Sequence, residues 1–219
     1  MARLVVFDLD GTLIDTAQEI TEAVNRTLAE CASGSVPESD VRRWIGHGTG
    51  WLMKQAWADQ VGEPEDADWS HVMARFVVHY HDTAGTMSRP YPFVRETLAE
   101  LQRMGIARAI LTNKESRFTA RVLEAHGLTE CFDLVVSGDS LPTKKPDPSG
   151  LFHCIDDLGS AVGSCLFVGD SEIDVATAKA AGVVCWAVPY GYNHGRPIAL
   201  ANPDRLVEDI RPVPQYFLH

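Results

Sequence analysis

The sequence predicts an α/β fold, a Rossmann-like parallel sheet core with helices on both faces and an inserted all-helical cap domain. Three observations predict it. Five short runs, 3–9, 106–111, 133–137, 164–168 and 183–188, are continuously apolar, as strands buried on both faces are. Stretches with helical spacing lie between them, the alternation that builds a parallel sheet. Residues 16–82 break the alternation with helical stripes and no strand-like run.

In chain order, the first strand (RLVVFDL, 3–9) runs into Asp-x-Asp-Gly. The insertion follows, with stripes at Ile20, Val24, Leu28 and Cys31, then Val41, Trp44 and Ile45, then Trp51, Leu52, Ala56 and Trp57, then Val72, Met73, Phe76, Val77 and Tyr80. Trp44, Trp51 and Trp57 are expected in the core of this insertion. Beyond it, Val94, Leu98, Leu101 and Met104 mark one helix and Phe118, Val122 and Ala125 another, while 172–181 is an Ala-rich helix closed by Gly182. The expected division is a catalytic core of 1–15 and 83–219 and a cap of 16–82, hinged at Asp15-Thr16 and near Gly85-Thr86.

Composition narrows the function. With 19 Lys+Arg against 30 Asp+Glu over 219 residues, the net charge of −11 opposes binding to nucleic acid or an anionic membrane. No apolar run reaches the length of a membrane span, and the N-terminus lacks a signal-peptide layout, so a cytoplasmic protein is expected. Five widely spaced cysteines without a C-x-x-C read as small buried hydrophobes rather than as a disulfide framework or zinc site. The expected partner is a small phosphorylated metabolite, bound by a monomer or homodimer.

Ligands of an open parallel sheet bind beyond the carboxyl ends of its strands, so the residues after each apolar run are the ones to inspect. Asp8, Asp10, Gly11 and Thr12 follow the first; Thr112, Asn113 and Lys114 the second; Gly138, Asp139, Ser140 and then Lys144-Lys145-Pro146-Asp147-Pro148 the third; Gly169, Asp170, Ser171 and Asp174 the fourth. Any one aspartate is accounted for as a turn former or helix cap. Independent caps have no reason to gather at one edge, and carboxylates that converge there repel one another unless a hard, oxygen-binding cation such as Mg2+ joins them.

The run Asp8-Leu9-Asp10-Gly11-Thr12-Leu13-Ile14-Asp15 resembles the first signature of the haloacid dehalogenase superfamily. Leu111-Thr112-Asn113-Lys114, Lys144-Lys145-Pro146-Asp147-Pro148 and Gly169-Asp170-Ser171-Glu172-Ile173-Asp174 are similar to its second, third and fourth motifs, in order. The resemblance implies that Asp8 is a nucleophile forming an aspartyl-phosphate and that Asp10 is the general acid and then base. It implies Mg2+ held by Asp8, the Asp10 carbonyl and Asp170, with Asp174 ordering bound water. Thr112 and the Asn113 N–H would bind phosphoryl oxygens, and Lys145 would neutralise developing charge. Lysine's general preference for the surface puts Lys144 and Lys114 in solvent, with either able to add to the field.

Within the superfamily, Trp44-Ile45-Gly46-His47-Gly48, Tyr91-Pro92-Phe93-Val94-Arg95-Glu96-Thr97-Leu98, Phe132 to Ser140 and Gly191-Tyr192-Asn193 resemble the bacterial phosphoglycolate phosphatases. His47 departs from the polar amide or small residue usual there. That resemblance implies hydrolysis of 2-phosphoglycolate. Other phosphatases of the same layout remain open, for a sugar phosphate, N-acetylmuramate 6-phosphate or pyrophosphate, as does a β-phosphoglucomutase-like isomerase. Leaving-group contacts are expected from Gly46, His47 and Gly48, with glycine N–H groups approaching closely and Arg42, Arg43 or His47 supplying charge.

Overall fold

The computed structural model describes residues 2–32, 34–62 and 68–218. Its elements in order are β1 (Leu4–Phe7), β2 (Ile14–Asp15), α1 (Ala17–Cys31), α2 (Glu38–Trp44), α3 (Thr49–Gln60), α4 (Trp69–Thr83), β3 (Arg89–Pro90), α5 (Val94–Arg103), β4 (Ala107–Leu111), α6 (Ser116–Ala125), β5 (Leu134–Val136), α7 (Ser149–Asp157), β6 (Cys165–Gly169), α8 (Glu172–Ala181), β7 (Val184–Ala187) and β8 (Arg205–Leu206). Six strands form one sheet in the order β5-β4-β1-β6-β7-β8. All its pairings are parallel, with Leu4 of β1 opposite Ala107 on one side and Cys165 on the other.

The central strand explains its own composition. Successive side chains of β1 point to opposite faces, and both faces are covered, so no polar residue is tolerated before Asp8. Val5 and Phe7 join a core with Leu98 of α5 and with Phe118 and Val122 of α6. Leu4 and Val6 join a second core with Leu151 and Cys154 of α7 and with Val175 and Ala178 of α8.

The five expected strands are all present, as are the helices at 94–103, 116–125 and 172–181. Three features were not anticipated. Strand β8 is two exposed residues and carries no alternation. Helix α7 is nine residues long, too short for a sustained stripe. Strands β2 and β3 pair antiparallel through Ile14–Pro90 and Asp15–Arg89, stitching the chain together where it enters and leaves the helical insertion.

The insertion consists of α1 to α4, with no strand among its described residues. Its core joins Ile20, Val24 and Leu28 of α1 to Val72, Phe76 and Tyr80 of α4. Trp57 is buried, its ring edge-on to Trp69 at 6.1 Å, and Trp44 is half-buried. Trp51 departs from the expected core placement. It is 36% exposed because the inward stripe of α3 is Leu52, Met53, Ala56 and Trp57, and Trp51 precedes it by one residue, a rotation of about 100°.

All five cysteines are free thiols; Cys154, Cys165 and Cys185 are buried, whereas Cys31 and Cys131 are only half-buried. Burial pushes the Cys154 and Cys165 thiols up to about 12, which keeps them protonated and unreactive. No helix among the described residues is long and apolar enough to cross a membrane.

Candidate active site

Asp8 extends β1 by one residue, its N–H donating to the Val168 carbonyl at 2.9 Å, which fixes the side chain at the rim of the sheet. Gly11, at φ +87°, turns the chain sharply there. A Cβ on Gly11 would stand 2.4 Å from Asp170 Oδ2, and one on Gly191 2.2 Å from the same oxygen, so only glycine lets the two loops close around that carboxylate.

Lys145 binds two carboxylates at once, its Nζ 2.7 Å from Asp8 Oδ1 and 2.6 Å from Asp174 Oδ1. Burial works against its charge, but Asp174 and Asp8 outweigh it and hold the ammonium above its ordinary range. Asn113 fixes the lysine backbone: its Oδ1 accepts from the Lys145 N–H at 2.9 Å, and its Nδ2 donates to the Lys145 carbonyl at 3.0 Å and the Gly46 carbonyl at 2.8 Å. Thr112 is buried beside it, and its Oγ1 accepts from the Lys114 N–H at 3.2 Å.

Asp174 is fully buried, with an oxygen within 4.8 Å of oxygens of Asp8 and Asp170. One oxygen is taken by Lys145, and the other accepts from the Asp170 and Ser171 N–H groups and the Ser171 hydroxyl, closing a capping box on α8. Its carboxylate therefore positions Lys145 and the Asp170 loop.

Lys114 also departs from expectation. It is 5% exposed, and its Nζ lies 2.8 and 2.9 Å from the two oxygens of Asp10, which also accepts from the Thr16 hydroxyl at 2.7 Å. Lys144 is exposed, as expected. The error with Lys114 came from a general preference of lysine for solvent. Its position immediately after Thr112-Asn113, at the carboxyl end of β4, was the signal that could have found it.

Opposite the carboxylates, Ile20, Ile45, Gly46, Gly48, Leu52 and Tyr80 wall the cavity. Gly46 and Gly48 adopt φ of +126° and +90°. Gly46 faces the core with its carbonyl, on Asn113, where an N–H was expected. His47 is not among the lining residues, because its ring turns the other way onto His194 at 5.1 Å and Trp51 at 4.7 Å. Arg42 and Arg43 also stay out of the cavity. Arg42 binds Asp15 at 3.1 Å and Glu38 at 2.8 Å and lies over the Tyr192 ring, while Arg43 pairs with Asp40. Tyr192, whose hydroxyl accepts from the Thr16 and Ala17 N–H groups and donates to Asp15, ties the far loop to the hinge.

Asp8, Asp170 and Asp174 bring oxygens within 4.8 Å of one another, and the ammonium of Lys145 pairs with two of them, Asp8 and Asp174. Burial and the neighbouring carboxylates Asp174 and Asp8 push Asp170 well above the usual carboxylate range, and burial pushes Asp8 up to about 7. Hard oxygen donors, an uncompensated buried negative charge and the glycine cradle around Asp170 fit a small divalent cation. Asp8 and Asp170 are the carboxylates that could hold it: each Asp170 oxygen accepts one hydrogen bond and keeps a free lone pair, whereas one Asp174 oxygen accepts three and the other lies on Lys145.

A family model for haloacid dehalogenase-like hydrolases matches residues 5–188, most of the chain. The chain belongs to that family. Among haloacid dehalogenase-like relatives, the phosphoglycolate phosphatase of Pseudomonas syringae pv. syringae is 41% identical over 216 residues, covering 96% of this chain and 78% of its own length. That of Aliivibrio fischeri is 36% identical, covering 95% and 93%. The crystal structure of a predicted phosphoglycolate phosphatase from Haemophilus somnus superposes with a TM-score of 0.93 at 30% identity, covering 98% of this chain and 97% of that one.

Proposed function

We propose that this hydrolase is a magnesium-dependent phosphatase that converts 2-phosphoglycolate to glycolate and phosphate. The observation that carries the reading is the pair of lysine-held aspartates, Asp8 on Lys145 and Asp10 on Lys114, at one rim of the sheet. The named relatives, similar along nearly the whole chain, support the substrate.

In this reading the Asp8 carboxylate oxygen attacks phosphorus in line while the bond from phosphorus to the ester oxygen breaks, and that oxygen takes a proton from Asp10. Glycolate leaves. Asp10 then accepts a proton from water, whose oxygen attacks the acyl-phosphate, releasing phosphate and restoring Asp8. Lys145, fixed by Asp174 and by the Asn113 side chain, spreads the negative charge between nucleophile and phosphoryl oxygens, which Thr112 and the Asn113 N–H also bind. Asp8, Asp170 and the Asp10 carbonyl would hold magnesium, which would supply neutralisation of the phosphoryl charge. Residues 16–82 act as a cap over a core of 1–15 and 83–219, and Gly46 and Gly48 bring the cap backbone against that core.

Phosphate release from a panel of small esters, with and without Mg2+, tests the proposal. The expected result is metal-dependent turnover fastest with 2-phosphoglycolate and none with Asp8→Asn. Faster turnover of sugar phosphates overturns the substrate, and turnover by Asp8→Asn overturns the covalent route.

A further inference from the structure

We propose that Lys114 is the receptor for the carboxylate of the leaving group and so determines the preference for a carboxylate-bearing ester. The inference rests on the phosphatase reading above and goes further by assigning the residue that selects the substrate.

The argument begins with the charges on the cavity wall. Among the described residues that line it, the cations are Lys145 and Lys114. Lys145 Nζ bridges two carboxylates, Asp8 and Asp174, whereas Lys114 Nζ is paired with one, Asp10. Arg42, Arg43 and His47, the cap residues from which a cation was expected, point elsewhere and are bound to Asp15 and Glu38, to Asp40, and against His194. An anionic group entering the apolar half of the cavity, between Ile20, Leu52 and Tyr80, therefore meets one ammonium, that of Lys114.

Position supports charge. Asp10 must touch the ester oxygen to protonate it, and Lys114 Nζ is in hydrogen-bond contact with both oxygens of Asp10. In 2-phosphoglycolate the carboxylate oxygens stand three bonds from that ester oxygen, within reach of the same ammonium. The Nζ also lies 5.0 Å from the centre of the Tyr80 ring of α4, which covers it from the cap side. A buried ammonium keeps its attraction for a carboxylate because little water competes there, whereas the hydroxyls of a neutral leaving group offer it no charge.

The test compares 2-phosphoglycolate with ethyl phosphate, in which a methyl group replaces the carboxylate. The readout is the ratio of the two kcat/KM values in one preparation, so an unfolded fraction cancels. The wild-type ratio favours 2-phosphoglycolate, and Lys114→Met lowers that ratio by about 10- to 100-fold, the loss of a charge-assisted hydrogen bond. Lys114→Arg, which keeps the charge, retains a preference. If both esters lose equally in Lys114→Met, the lysine serves Asp10 alone and the inference falls while the substrate reading stands. If the wild type shows no preference to begin with, the substrate reading itself falls. Should Lys114→Met turn over neither ester, calorimetric titration of both into Asp8→Asn and Asp8→Asn/Lys114→Met decides. Weakening of 2-phosphoglycolate alone supports the receptor, and equal binding to the two variants overturns it.

Discussion

The two walls of the active-site cavity are built on different principles. On the sheet side several charged groups have more than one partner: Lys145 two carboxylates, Asp174 an ammonium and three further donors, Asp170 Thr12 and the Tyr192 N–H. The cap side offers apolar side chains and glycine backbone, and its polar contacts with the core include Asn113 to Gly46, Thr49 to Glu115 and Arg42 to Asp15. Chemistry needs fixed atoms, and a network in which each atom has more than one partner fixes them. Substrate entry needs a wall that can separate, and a single hydrogen bond from the Asn113 amide to the Gly46 carbonyl is cheap to break.

That contrast can be broken from either side. On the sheet side, Asp8→Asn abolishes turnover because a neutral amide cannot attack phosphorus, and a rate assay with the purified variant checks it. Asp10→Asn keeps the main-chain carbonyl and loses the proton donor, so kcat falls by about 10²- to 10⁴-fold while Mg2+ binding, followed by titration calorimetry, survives. Lys145→Ala costs about 10²- to 10³-fold in kcat, whereas Lys144→Ala, on an exposed side chain one residue away, leaves kcat within a factor of about two. Equal losses would erase the distinction between the walls.

On the cap side the effects are smaller and fall on binding. Gly48 has φ +90°, and a Cβ there would lie 3.6 Å from the Asn113 carbonyl oxygen and 3.4 Å from Lys144 Nζ. Those are ordinary contact distances, so the obstacle is the backbone: Gly48→Val raises KM for 2-phosphoglycolate with a smaller change in kcat/KM for an aryl phosphate, because a β-branched residue does not hold that φ and the loop shifts while the core is untouched. The smallest effect belongs to Arg42→Ala. Its contact with Asp15 is one-third exposed, so thermal unfolding should show a loss of at most about 1 kcal/mol.

The difference between the walls also decides how legible each was. The sheet side was readable because buried parallel strands announce themselves as apolar runs, and their carboxyl ends place Asp8, Asp10, Thr112, Asn113, Lys145 and Asp170 at one edge without any knowledge of side-chain direction. The cap side was readable only as helices. The stripes located α1 to α4, yet the loop that holds Gly46, His47 and Gly48 has no periodicity from which to infer which way each residue turns.

By itself, then, the chain's pattern determined the sheet, the helical insertion and the rim that carries the candidate site, because hydrophobic periodicity and strand-end placement are local properties. Tertiary structure alone decided that Lys114 reaches back across 104 residues to Asp10, that Asp174 spends its oxygens on Lys145 and its own helix cap, and that His47 stacks on His194 outside the cavity. Each of those outcomes depends on how elements distant in sequence close around a shared cavity, where charge, burial and rotamer are settled together and no short segment holds the answer.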